Sequence, residues 1–227
     1  MKKATKPAKF KNSEYSQIRE DLDTFDLLLW SGTGRLSKFI QMGTGSTWSH
    51  VGMVIRMPGD LLMLWESTLG EDHSGVQLTP LSKSVYGKVA VRRMNVERTA
   101  DHLERLMEVR KLLDGRPFEK NWLEFFRAGY DGIFGENTRD ISTLFCAELV
   151  AETLQQVGLL DDSIPSNEFT PKDFSSEAAA SLPLLMGASL ESEVMLTQTE
   201  EVKPMKAPRG VKVTKVIKPN PRLFPAT

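Results

Sequence analysis

The stretch Ser49-His50-Val51-Gly52-Met53-Val54-Ile55-Arg56-Met57, then Pro58-Gly59-Asp60, then Leu61-Leu62-Met63-Leu64-Trp65-Glu66 decides the fold. Val51 to Met57 is apolar and β-branched, so it reads as a strand. Pro58-Gly59-Asp60 is a turn, and Leu61 to Glu66 reads as the returning strand of a β-hairpin. Opposite residues of an antiparallel hairpin have numbers with a constant sum. A loop centred on Pro58 gives a sum of 116 and sets His50 opposite Glu66 on one face. A two-residue Pro58-Gly59 turn gives 117 and sends them to opposite faces.

Upstream, Leu27-Leu28-Leu29-Trp30 is a short apolar run ended by Ser31-Gly32-Thr33-Gly34, consistent with a buried strand. Arg35 to Met42 carries Leu36, Phe39 and Ile40 at helical spacing, and Gly43 to Ser49 is a polar loop around Trp48. Downstream, Val76–Leu78 and Lys88–Arg93 are shorter strand candidates. Helices follow. Asp101 and Glu104 resemble a capping box before an apolar-periodic segment that Gly115 stops. Asn121–Phe126 is aromatic-rich and helical in pattern. Ser142 or Thr143 can cap a further helix through Val157, which Gly158 ends. Strands and helices are largely segregated and no repeat is present, which argues an α+β fold. The expected organisation is a basic lead-in over 1–20 and one domain over 21–190. A linker and a basic, Pro-rich extension follow over 191–227, with Val211–Ile217 as a candidate edge strand.

The chain has 227 residues, 40% hydrophobic and 26% charged, enough to bury a core without staples. Its longest uncharged stretch, Phe39 to Ile55, holds three Gly, several hydroxyl residues and a His, so it is no membrane span. No secretory signal follows the N-terminal lysines, so the expected location is cytoplasmic. The net charge of −1 hides an asymmetry. Residues 1–11 carry five Lys and no acid, and residues 202–227 carry seven Lys or Arg and no acid. Residues 12–201 hold 17 basic and 30 acidic residues. The basic ends are either solvated tails or a contact for an anionic partner, a membrane surface or nucleic acid. One Cys excludes a disulfide framework and an all-Cys zinc site, and three scattered His leave little for a metal. Neither a metal nor a cofactor is expected. Gly32-Thr33-Gly34 and Gly43-Thr44-Gly45 match neither a phosphate loop nor a dinucleotide fingerprint.

Three residues can carry chemistry. If Ser142 or Thr143 is the cap, Cys146 lies in the first turn of its helix. There the helix field lowers a thiol pKa from ~8.5 toward 7, and free backbone N–H groups can hold an oxyanion. A lone free Cys is, however, more often a small core hydrophobe. His50 opens an apolar strand after a polar loop, where it can present a ring nitrogen. Gly52 beside it admits another backbone or a substrate. The plainer alternative is a turn His with a satisfied hydrogen bond. Glu66 orients His50 if the hairpin register brings them together, and is otherwise a solvated strand end. His73 sits in a polar loop and His102 in a helix's first turn, both expected at the surface.

In this order the residues resemble the circularly permuted papain-like hydrolases of the NlpC type, a group that includes relatives of lecithin–retinol acyltransferase. The resemblance rests on Asp26-Leu27-Leu28-Leu29-Trp30, Trp48-Ser49-His50-Val51-Gly52-Met53-Val54, Glu66, and Phe145-Cys146-Ala147-Glu148-Leu149-Val150. Asn167-Glu168-Phe169-Thr170-Pro171-Lys172-Asp173-Phe174 looks like the segment that follows the Cys helix in bacterial-type members. It covers roughly residues 22–176, with the His before the Cys as the permuted branch requires. Phe25 stands where Gly is expected before Asp26. The resemblance implies a small antiparallel sheet or barrel packed on the helix that bears the Cys. It makes Cys146 the nucleophile, His50 the base and Glu66 the orienting residue, with Trp30, Trp48 and Ser49 as candidate substrate contacts.

The implied activity is hydrolysis of an amide, in a peptide or a cell-wall-like substrate, through a thioester acyl-enzyme. A second class is a lipid-directed acyl hydrolase or acyltransferase, with Trp30, Trp48, Phe39 and Met42 lining an apolar slot. Packing in the core explains the same residues equally well. A third is a non-enzymatic binding or structural module with an inert Cys. Sedimentation with anionic vesicles separates the first two, and thiol reactivity at neutral pH separates both from the third.

Overall fold

A computed structural model describes residues 11–69, 74–116 and 146–197. Its strands are β1 (Lys11–Glu14), β2 (Leu27–Trp30), β3 (His50–Met57), β4 (Leu61–Leu69), β5 (Ser74–Pro80), β6 (Val89–Arg92), β7 (Met94–Asn95), β8 (Ser189–Leu190) and β9 (Val194–Thr197). Its helices are α1 (Tyr15–Ile18), α2 (Arg35–Thr44), α3 (Leu81–Ser84), α4 (Ala100–Leu113) and α5 (Cys146–Val157). The class is α+β. Seven strands make one sheet in the order β1-β9-β6-β2-β3-β4-β5, while β7 and β8 pair separately. Every pairing in the large sheet is antiparallel except β1 with β9.

β2 lies between β3 and β6 and all four of its residues are buried, so its apolar run is continuous rather than alternating. Leu27 and Leu29 share one face with Val51, Met53, Ile55, Trp65 and Ala90. Helix α4 covers that face with Leu106, Val109 and Leu113, and α5 covers it with Leu149, Val150, Leu154 and Val157. Leu28 and Trp30 share the other face with Val54, Leu64, Leu81, Val89 and Val91. Each fully buried Leu or Val here contributes about 1.5–3 kcal/mol. The Trp65 indole N–H donates to Thr153 Oγ1 at 3.2 Å, fixing α5 against the hairpin. At the far end of α5, Gly158 takes φ +85° and Leu159 N–H returns to Leu154 O at 2.8 Å, a left-handed helix stop.

Several boundaries differ from the expected ones. Residues 191–227 are not all linker, because Val194–Thr197 is a strand of the large sheet between β1 and β6. Nor is 1–20 wholly a lead-in, because Lys11–Glu14 pairs in parallel with that strand. Both strands are short and pair across the length of the chain, so no local pattern marks them. The cap of α4 is Thr99, whose hydroxyl accepts the His102 N–H at 3.2 Å. Asp101 instead pairs with Arg105 one turn on. His102 is buried, its Nδ1 on Glu97 O at 3.0 Å and its ring edge-on to Phe25. Asn121–Phe126, Ser142, Thr143, His73, Val211–Ile217 and the basic runs before Lys11 and after Thr197 lie outside the described residues. Among the described residues no helix is long and apolar enough to cross a membrane.

Candidate functional site

The hairpin sets the site. Its ladder pairs Met53 with Trp65 and Met57 with Leu61, a constant sum of 118. Neither 116 nor 117 is realised, because three residues form the turn and both Gly59 (φ +79°) and Asp60 (φ +61°) adopt left-handed backbone. The sum is even, so His50 and Glu66 share a face, two places out of direct opposition. Diagonal neighbours on a sheet lie within reach of long side chains. His50 Nε2 meets Glu66 Oε2 at 2.9 Å. Gly52 lies between them. A Cβ built there would come 2.8 Å from Leu64 Cδ1, 3.3 Å from the Trp65 carbonyl oxygen and 3.4 Å from Glu66 Cβ. The close approach expected at Gly52 is thus made by β4, not by a substrate.

Cys146 is the first described residue of α5 and is buried, and its thiol interacts with the His50 imidazole. Three residues far apart in the chain, Cys146, His50 and Glu66, are therefore brought together, with His50 interacting with both others. Burial acts to raise the Cys146 pKa. The neighbouring His50 cation, its hydrogen bond, and the backbone N–H groups of Val51 and Ala147 outweigh burial and hold the thiol below its ordinary value. Burial acts to lower the His50 pKa, but the thiolate and the Glu66 carboxylate push it up to about 10. The arrangement favours a thiolate–imidazolium pair. Because Nε2 is engaged by Glu66, Nδ1 is the ring nitrogen left to exchange a proton with the thiol.

The neighbours of His50 are fixed in turn. Trp30, its direct partner on β2, lays its ring 5.1 Å from the imidazole at a 52° tilt. Its indole N–H donates to Ser84 O at 3.0 Å. The loop before His50 is tied from three sides. Glu177 accepts from Ser46 Oγ and Thr47 N–H, both at 2.7 Å, Lys172 Nζ donates to Thr44 O at 2.9 Å, and the Gln41 amide donates to Thr47 O at 3.0 Å. Burial tends to raise the Glu177 pKa, but the Thr47 and Ser46 donors and the Lys88 charge hold it below the usual carboxylate range. Phe169 and Phe174, from the segment after α5, pack together in the core.

The three candidate substrate contacts, Trp30, Trp48 and Ser49, are all buried. Trp48 is fully buried in the core beneath the sheet, with Lys88 Nζ 5.6 Å from its ring centre. Ser49 is buried and structural. Its hydroxyl accepts from Gly32 N–H at 3.0 Å and donates to Trp30 O at 3.3 Å. Trp30 packs on His50 rather than lining an open slot. The composition reading also missed two residues on β5. Gln77 Nε2 and Thr79 Oγ1 reach Glu66 Oε1 at 3.3 and 3.5 Å. Only the β4–β5 register, which pairs Gln77 directly with Glu66, reveals them. Among the described residues no group of three His, Cys, Asp or Glu is placed to hold a metal.

No protein-family model matches the chain, and no curated protein matches it in sequence. Among solved structures it is similar to the metalloprotein yiiX from Escherichia coli O157:H7, DUF1105. Identity is 21%, the match covers 76% of this chain and 87% of that chain, and the TM-score is 0.46. A likeness at this level assigns neither fold nor activity.

Proposed function

We propose that the protein is a cysteine hydrolase of the permuted papain-like, NlpC type, cleaving an amide bond through a thioester on Cys146. The observation that carries the reading is the Cys146–His50–Glu66 cluster, with His50 Nε2 on Glu66 at 2.9 Å and the thiol interacting with the same imidazole. In the chemistry that follows, the Cys146 thiolate adds to the carbonyl carbon. Backbone N–H groups at the start of α5 hold the oxyanion. The His50 imidazolium gives its proton to the leaving nitrogen as the C–N bond breaks, leaving a thioester and a neutral imidazole. Water then loses a proton to His50 and adds to the thioester, and the thiolate departs. The Glu66 carboxylate, on His50 Nε2, steadies the imidazolium.

The lipid-directed reading loses part of its support, because Trp30 and Trp48 belong to the core. A peptide or other amide substrate is therefore preferred. The test is incubation of the full chain with amide and ester substrates, followed by mass analysis of Cys146. The expected result is product release and a transient acyl adduct on Cys146, both absent in Cys146→Ala. Product release that persists in Cys146→Ala contradicts the proposal. So does a thiol that accepts no acyl group from any amide or ester and labels only on unfolding, which favours an inert binding module.

A further inference from the structure

We propose that Gln77 is a positioning residue of this site, holding Glu66 so that one carboxylate oxygen faces His50. The inference rests on the cysteine-hydrolase reading and deepens it. Gln77 and Glu66 are direct partners across β5 and β4, so their side chains leave the sheet side by side. The two carboxylate oxygens are divided between two strands. Oε2 accepts from His50 on β3, and Oε1 accepts from Gln77 Nε2 at 3.3 Å, with Thr79 Oγ1 at 3.5 Å on the same oxygen. An ionised carboxylate only accepts, so the Gln77 amide must present its nitrogen to it.

The contacts continue into a closed ring. Thr79 Oγ1 lies 3.4 Å from Ser84 Oγ, and Ser84 O takes the indole N–H of Trp30, whose ring packs on His50. Carboxylate and indole, the two neighbours that orient the imidazole, are thus both anchored through β5 and α3. Without the Gln77 donor, Oε1 is left poorly paired beside the core, and rotation of the carboxylate toward water becomes the way to satisfy it. Glu66 then no longer faces Nε2, and the imidazolium loses its partner.

The test is an NMR titration of the His50 imidazole in the full chain. The chain has three histidines, and His50→Ala identifies the relevant signal. In the native chain the expected result is a His50 that titrates above its ordinary 6.5. Gln77→Met keeps the side-chain length and removes the donor, and it lowers the His50 value by roughly half a pH unit or more. Glu66→Gln lowers it as well, and adding Gln77→Met to Glu66→Gln changes nothing further, because Gln77 acts through Glu66. Thr79→Val produces a smaller fall, and it carries the test if Gln77→Met does not fold. A raised His50 value that folded Gln77→Met leaves unmoved overturns the inference while the Cys–His pair stands. Equal effects of Gln77→Met with and without the Glu66 carboxylate overturn it too. A native His50 that titrates at its ordinary value overturns the pair, and Gln77's role with it.

Discussion

His50 and Glu66 stand one diagonal apart across the β3–β4 hairpin, and their side chains close that diagonal at 2.9 Å. The closure depends on a three-residue turn and on the missing side chain at Gly52. A turn with one residue fewer would change the parity of the register and turn the two residues to opposite faces. The site therefore depends on the backbone of Gly59 and Asp60 as much as on its own side chains.

Cys146→Ala is expected to abolish turnover of any substrate, because the nucleophile itself is removed. Glu66→Gln is expected to lower kcat by on the order of 10²–10⁴ without abolishing it, since His50 keeps a place but loses its counter-charge. Steady-state kinetics on a cleaved amide or ester checks both.

Gly52→Val is expected to impair the site beyond its effect on the fold. The new Cβ presses on the Trp65 carbonyl and on Leu64, pushing β4 and with it Glu66. Overpacking of this kind costs about 1–3 kcal/mol. Chemical denaturation measures that cost, and the His50 titration reports whether Glu66 has moved away.

The site also gives stability a pH dependence. The folded His50 value, about 10, lies above its ordinary 6.5. Its contribution is therefore fully present below about 6.5 and is lost as pH rises through about 10. The unfolding free energy of the native chain relative to His50→Gln is expected to shrink across that window in urea titrations at fixed ionic strength.

Asp26 opens β2 from a fully buried position. It accepts N–H groups from Asp23 and Met94, both at 2.9 Å, and pairs with Arg93 at 2.8 Å and Arg98 at 3.3 Å. Asp26→Asn leaves partly buried Arg93 without this counter-charge and Arg98 with Asp23 alone, at 3.4 Å. The expected loss is about 3 kcal/mol, at the low end for a buried pair because both arginines keep some contact with water. Thermal and urea unfolding check it.

The elements that carry the site were legible where a local pattern existed. Leu27–Trp30 reads as a buried strand and is one, and the hairpin strands need only one added residue at His50 and three after Glu66. What stayed hidden was long-range or conformational. The register turned on two left-handed residues, one of them Asp60, whose type does not demand that conformation. Phe25, where a Gly was expected, takes φ +76° with its ring fully buried, so packing offsets a backbone strain of order 1 kcal/mol. The Glu66 neighbours Gln77 and Thr79 lie on a strand whose alternation is weak, and they become meaningful only once paired. Trp48 looked available because it sits in a polar loop, but Glu177 and Lys172 tie that loop down over it.

The most direct measurement is the pH–rate profile of iodoacetamide alkylation of the folded chain, with His50→Ala alongside. The chain has one thiol, so every adduct reports Cys146. The thiolate–imidazolium pair predicts fast labelling with an apparent pKa well below ~8.5, shifted upward by His50→Ala. Slow labelling in both proteins, accelerated only by denaturant, would contradict it and make Cys146 an inert core thiol.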